Sequence, residues 1–241
     1  MLEIKNIRKI FPGQYSPAIN DISLKIEKGE FCIIIGSNGS GKSTFLKSIL
    51  REYSIDSGEI ITKSAKIASV NQDINQGTIP EMTLLENMIL GSSLEGKSNL
   101  SFYSKKREGI IEAVKTLNLG LENYIDQPLK NLSGGQRQMI ATLMAINANP
   151  DILLLDEHTS ALDPKTQSML MEFTAQHINN KNITCLMITH KLDDAIRYGN
   201  RLIMIHKGQI VVDLNKKQKE SLTIKQIFSL FHEYEDLTLR N

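Results

Sequence analysis

The sequence predicts an α/β fold with a mostly parallel core sheet, an antiparallel β subdomain and a helical insertion. Three observations predict it. Continuous apolar runs at Phe31 to Ile35, Asp151 to Glu157, Asn182 to Thr189 and Arg201 to Ile205 suit parallel strands buried on both faces. Near the N-terminus the pattern alternates instead, at Leu2/Ile4 and Ile22/Leu24/Ile26, as half-buried antiparallel strands do. From about Gly77 to Asn149 apolar residues recur at three and four, first Leu84, Leu85, Met88 and Ile89, then Ile110, Ile111, Val114, Leu117 and Leu119. This reads as an insertion within one domain spanning residues 1–241.

The remaining elements follow in order. Phe11 to Pro17 is a loop by its proline and glycine content, and Lys28-Gly29-Glu30 turns the chain into the next strand. A helix is expected from Lys42 to roughly Arg51, a turn at Asp56-Ser57-Gly58, and short strands at Glu59 to Ile61 and Lys66 to Val70. Gly91 to Ser104, rich in glycine, serine and asparagine, reads as an exposed connection. Residues 209–214 make a hairpin with the preceding strand across Lys207-Gly208, and Lys216-Lys217-Gln218-Lys219 reads as a solvated loop. A terminal helix at about 223–237 carries the stripe Ile224, Ile227, Phe228, Phe231 and Tyr234, expected to pack on the body.

The chemistry is concentrated in Gly36-Ser37-Asn38-Gly39-Ser40-Gly41-Lys42-Ser43, with Thr44 behind it. This fits G-x-x-x-x-G-K-[ST] at every fixed position and lies between an apolar strand and a helix. The glycines let successive N–H groups turn inward, so a phosphate chain meets backbone donors and a helix N-terminus together. Lys42 reaches the outer phosphates, and Ser43 offers a hydroxyl to Mg²⁺.

Composition sets limits on partners. Twenty-eight basic against 27 acidic residues leave a net charge of +1, so no overall field holds nucleic acid or an anionic membrane. No apolar run approaches the roughly 18 residues that span a bilayer, and no signal peptide is recognised. The cytosol is the expected compartment. Cys32 and Cys185 lie in separate apolar runs and read as small buried hydrophobes.

Downstream stand Leu132-Ser133-Gly134-Gly135-Gln136-Arg137-Gln138 and, at the end of an apolar run, Asp156-Glu157. With these in the same order, nearly the whole chain resembles the ATP-binding cassette (ABC) family of P-loop ATPases. The resemblance implies ATP and Mg²⁺ as cofactors, and it implies roles for individual residues. Asp156 completes the metal shell opposite Ser43, and Glu157 polarises the attacking water. Gln72, in Val70-Asn71-Gln72-Asp73, matches the glutamine that touches metal or water. His190, in Thr189-His190-Lys191, matches the switch histidine at the γ-phosphate. Asp163, in Ser160-Ala161-Leu162-Asp163, matches a loop that crosses a dimer interface. Phe11 falls where the family stacks an aromatic on adenine, with Tyr15 as a nearby rival. Ser133, Gly134, Gly135 and Gln136 would act on the ATP of a second copy, making a head-to-tail homodimer on ATP binding.

One departure is His158, where the family most often has proline. The residue is read as a loop hydrogen-bonder. Together with Gly77 to Thr83 and Tyr198 to Met204, it makes the chain similar to a bacterial subgroup of uptake ATPases, some assigned to aromatic amino acids. That subgroup implies integral membrane permease subunits, a periplasmic substrate-binding protein, and a peripheral place on the cytoplasmic side of the inner membrane. A soluble cassette ATPase acting on ribosomes or DNA is the alternative. Such factors carry two cassettes, a long coiled-coil insertion or basic arms, none of which is read here, so no nucleic acid is expected.

Overall fold

The computed structural model describes residues 1–73, 77–92, 103–160 and 162–239. In chain order the elements are β1 (Leu2–Lys9), β2 (Ile19–Ile26), β3 (Phe31–Ile35), α1 (Lys42–Ile49), β4 (Ser57–Ile61), β5 (Ile67–Val70), α2 (Leu84–Ser92), α3 (Tyr103–Lys115) and α4 (Gly134–Asn147). They continue with β6 (Ile152–Asp156), α5 (Pro164–Lys181), β7 (Thr184–Ile188), α6 (Leu192–Arg197), β8 (Arg201–His206), β9 (Gln209–Leu214), α7 (Lys216–Glu220) and α8 (Ile224–Leu239).

Two sheets result. A three-stranded antiparallel sheet runs β2-β1-β4, with Leu2 opposite Ile26 and Ile4 opposite Leu24. A six-stranded sheet runs β5-β6-β7-β3-β8-β9, parallel except for the β8-β9 hairpin. The parity of β3 explains its unbroken apolar run. Cys32 and Ile34 face one core with Phe45, Leu46 and Ile49 of α1 and Ile4, Ile22 and Leu24 of the small sheet. Phe31, Ile33 and Ile35 face the other core, with Leu84, Met88, Val114 and Ile140 of the helices between β5 and β6. A strand buried on both faces has no position for a polar side chain.

Both cysteines are buried and free, and burial pushes the Cys32 thiol up to about 12. They behave as small apolar groups.

Several boundaries differ from expectation. The turn expected at Asp56-Ser57-Gly58 is partly strand, because β4 already begins at Ser57 against Arg8. Helix α3 ends at Lys115, so Leu117 and Leu119 lie beyond it, and Asn118 takes a left-handed φ of 53°. Of the connection expected at Gly91 to Ser104, both ends are helical, and residues 93–102 lie outside those described. Lys216 to Lys219 is no solvated loop. Asn215 and Gln218 close a capping box that starts α7, and Lys219 is buried, its ammonium donating to the carbonyls of Tyr198 and Gly199. In α8, Ile227 packs on the core while Ile224 and Phe228 are exposed, so the stripe is only partly covered. The side chains of Phe231 and Tyr234 lie outside those described.

Candidate active site

The loop from Gly36 to Gly41 leaves the C-terminal end of β3, in the middle of the parallel sheet, and delivers the chain into α1. Its backbone is tied down from both sides: the amide of Gly208 donates to Ser40 O at 2.8 Å, and the amide of Phe45 donates to Gly41 O at 2.8 Å. Glycine is required where the packing is closest. A Cβ on Gly36 would fall 2.1 Å from Ile205 O, and one on Gly41 would fall 2.1 Å from Ala18 O.

Lys42, the first residue of α1, is buried, and its Nζ donates to Gly36 O and Ser37 O at 2.8 Å each. The ammonium is held over the loop rather than in solvent. Burial lowers its pKa, with the nearby Glu157 and Asp156 carboxylates opposing that shift. Ser43 Oγ donates to Asp156 Oδ1 at 3.3 Å, joining the start of α1 to the end of β6. Burial raises the pKa of Asp156, opposed by the Ser43 hydrogen bond and by Lys47, Lys42 and His190. A carboxylate and a hydroxyl are hard oxygen donors, the set that Mg²⁺ takes. Among the described residues no group of three or more His, Cys, Asp and Glu side chains converges, so a metal held here needs phosphate and water to complete its shell.

Glu157 follows β6 with a left-handed φ of 49°, unusual for a residue with a Cβ. Its amide donates to Ile188 O at 3.2 Å and its carbonyl accepts from Ser160 at 2.9 Å. Those bonds fix the residue in a conformation that local preference disfavours. At the end of the neighbouring β7, the amide of Thr189 donates to Ile34 O and that of Lys191 donates to Thr189 Oγ1. His190 stands between them, with Nε2 2.7 Å from Glu157 Oε2. The carboxylate is largely covered, whereas the imidazole is 44% exposed.

A cleft of about 780 Å³ gathers Phe11, Asn38, Gly39, Gly41, Lys42, Ser43, Thr44 and Glu157. Gly13, Gln14, Tyr15, Ser16, Pro17 and Ala18 complete that wall; of these, only Tyr15 is a site candidate from the sequence, Gly13 to Pro17 otherwise reading as loop and Ala18 carrying no assignment. Their signal is weak because Ala18 meets Gly41 and Gly208 through backbone atoms, which leave no mark in side-chain type. The Phe11 ring meets Tyr53 edge-on at 5.2 Å, with Lys9 Nζ 5.6 Å from its centroid, whereas Tyr15 is fully exposed.

Other expected residues do not line this cleft. Ser133 caps α4, exchanging hydrogen bonds with Gln136 at 2.9 and 3.2 Å, and Gly134 and Gly135 form the first turn. Asp163 caps α5, accepting from the amides of Lys165 and Thr166 at 3.1 Å. Gln72 is exposed just past β5, and residues 74–76 beyond it lie outside those described. His158 lies in the turn after β6, as its reading as a loop residue expects. It is buried, its Nε2 has no partner among the described residues, and burial lowers its pKa to about 4.

Residues 19–160 match the family model described as ABC transporter. The chain belongs to the ABC transporter family. It is an ATP-binding, ATP-hydrolysing cassette of that family. The chain is 42% identical to a tyrosine transport ATP-binding protein of Clostridioides difficile, over 96% of this chain and 98% of that one. It is 32% identical to a phosphonates import ATP-binding protein of Treponema denticola, over 95% of each. Among solved structures it matches the dimeric ATP-binding cassette MJ0796, in a post-hydrolysis state bound to ADP and Pi, with a TM-score of 0.79 and 29% identity, over 90% of this chain and 99% of that one. No helix among the described residues is long and apolar enough to cross a membrane.

Proposed function

We propose that this cassette is the energy-coupling subunit of an importer for a small solute such as an amino acid, working beneath separate permease subunits on the cytoplasmic side of the bacterial membrane. The observation that carries the reading is the 42% identity, over nearly the full length of both chains, to an ATP-binding protein named for tyrosine transport. A periplasmic substrate-binding protein belongs to the same proposed system. Residues 1–241 act as one domain, with 77–149 inserted as its helical part.

In the cleft, the amides from Gly36 to Thr44 and the ammonium of Lys42 hold the phosphates of ATP, with Phe11 against the adenine. Ser43 and Asp156, with Gln72, would hold Mg²⁺, whose contribution is to neutralise phosphate charge. Glu157 takes the proton of the attacking water as its oxygen approaches the γ-phosphorus, and ADP leaves. His190 keeps that carboxylate in place and meets the γ-phosphate.

Ser133, Gly134, Gly135 and Gln136 do not line the chain's own cleft, which supports their acting on the ATP of a second copy, with Asp163 at the junction. ATP then bridges two chains and stabilises the closed homodimer, and hydrolysis releases it. The test is purification of the tagged protein from mildly solubilised membranes of its own cell, followed by mass spectrometry. A stoichiometric polytopic membrane protein supports the proposal. Recovery only from the soluble fraction, with ribosomes or DNA, overturns it.

A further inference from the structure

Behind the Glu157–His190 pair lies a polar contact set that neither residue explains. Gln167, on the first turns of α5, is buried at 5% exposure. Its Nε2 lies 3.4 Å from Thr159 Oγ1 and 3.4 Å from Asp194 Oδ2, and its Oε1 accepts from Lys191 Nζ. These partners come from two separate turns. Thr159, itself buried, is two residues past Glu157, while Lys191 is next to His190 and Asp194 is in the first turn of α6.

A primary amide is the neutral group that offers two N–H donors and an acceptor from one short side chain, so Gln167 serves all three partners at once. Its mount is stiff. Helix α5 is capped by Asp163 and buries Leu170, Met171 and Thr174 against the core. The surroundings are poorly solvated, since burial is what raises the pKa of Asp194 despite the nearby Lys191 ammonium. Hydrogen bonds in such a place hold geometry more firmly than they would in water.

We propose that Gln167 is a positioning residue, which clamps the turn bearing His190 to the turn bearing Glu157 and so holds the imidazole on the carboxylate. Its bearing on catalysis rests on the proposed role of Glu157 as base, but the geometry it sets does not. Gln167 is not part of the nucleotide cleft, so its loss acts on the reacting pair and leaves ATP affinity alone. Small misplacement of reacting groups is expensive in rate.

The test uses the full-length protein with Gln167→Leu, Lys191→Met and the double variant, all labelled with ¹⁵N-histidine. The Nε2–H signal of His190, assigned through His190→Ala, reads the hydrogen bond to Glu157 directly. Gln167→Leu is expected to lose or broaden that signal and to lower kcat about tenfold while KM for ATP stays within about twofold. Lys191→Met, which leaves the buried side of the clamp in place, is expected to act in the same direction, and the double variant to be no worse than the worse single one. It also carries the test if Gln167→Leu does not fold. An unchanged histidine signal with a lowered kcat, an unchanged kcat, or additive effects in the double variant would overturn the proposal. If Glu157→Gln turns over ATP normally, the base assignment falls, and the clamp is then judged on the histidine signal alone.

Discussion

His190 Nε2 lies 2.7 Å from Glu157 Oε2, across the ends of two neighbouring parallel strands. The contact uses the carboxylate that faces the cleft, so the two residues are expected to fail together but in different ways. Glu157→Gln keeps shape and hydrogen bonding and removes basicity. It is expected to bind ATP, to lose turnover by about a thousandfold, and to accumulate as a closed dimer on size exclusion with ATP. His190→Ala leaves the base unsupported and is expected to lose about a hundredfold in kcat with little change in nucleotide affinity. Normal turnover by Glu157→Gln would remove Glu157 from its role.

The phosphate loop contains glycines needed for different reasons. Gly41 has a φ of 105° and no room, since a Cβ would sit 2.1 Å from Ala18 O. Gly39 has a φ of 78° and nothing within 4 Å. Gly41→Ala is therefore expected to destabilise the protein by more than about 3 kcal/mol and to abolish nucleotide binding. Gly39→Ala should cost only the left-handed backbone strain, about 1 kcal/mol. Urea unfolding separates the two, and equal costs would show that the contact with Ala18 is not limiting.

Two aromatic residues line the cleft, and they differ in how firmly they are held. Phe11 is braced edge-on by Tyr53, whereas Tyr15 is fully exposed. A braced ring loses less freedom when it stacks on a base. Phe11→Ala is expected to weaken ADP binding about fivefold, in line with an aromatic pair worth about 1 kcal/mol. Tyr15→Ala should stay within about twofold. Titration calorimetry decides, and the reverse order would assign the adenine contact to Tyr15.

Much of this was legible because it is written in side-chain type. The run Phe31 to Ile35 announces a strand buried on both faces, and Gly36 to Ser43 announces a tight phosphate-binding loop, in which Gly36 and Gly41 also pack against the carbonyls of Ile205 and Ala18. What escaped was set by tertiary contact. Lys216 to Lys219 has the composition of a loop, yet Lys219 turns inward because the carbonyls of Tyr198 and Gly199 need a donor there. Gln167 looks like an ordinary helix residue, and only folding brings Thr159, Lys191 and Asp194 around it. His158 is polar and follows a strand, which suggests exposure, but the packing after β6 buries it.

Lys219 gives a pH dependence with a definite sign. Burial pushes its ammonium from 10.5 down to about 8 in the folded protein. Between about pH 8 and 10.5 the unfolded chain holds a proton that the folded chain has released. Unfolding then takes up protons, so the stability attributable to this residue rises with pH across that window. Below about pH 8 both states are protonated and the buried charge costs its full amount, on the order of 3 kcal/mol at most. In Lys219→Met the slope disappears. Urea unfolding of both proteins near pH 7 and near pH 10 is expected to show the wild type gaining on the variant at the higher pH. A difference that does not change with pH would mean that Lys219 keeps an ordinary pKa and that its two carbonyl contacts offset its burial.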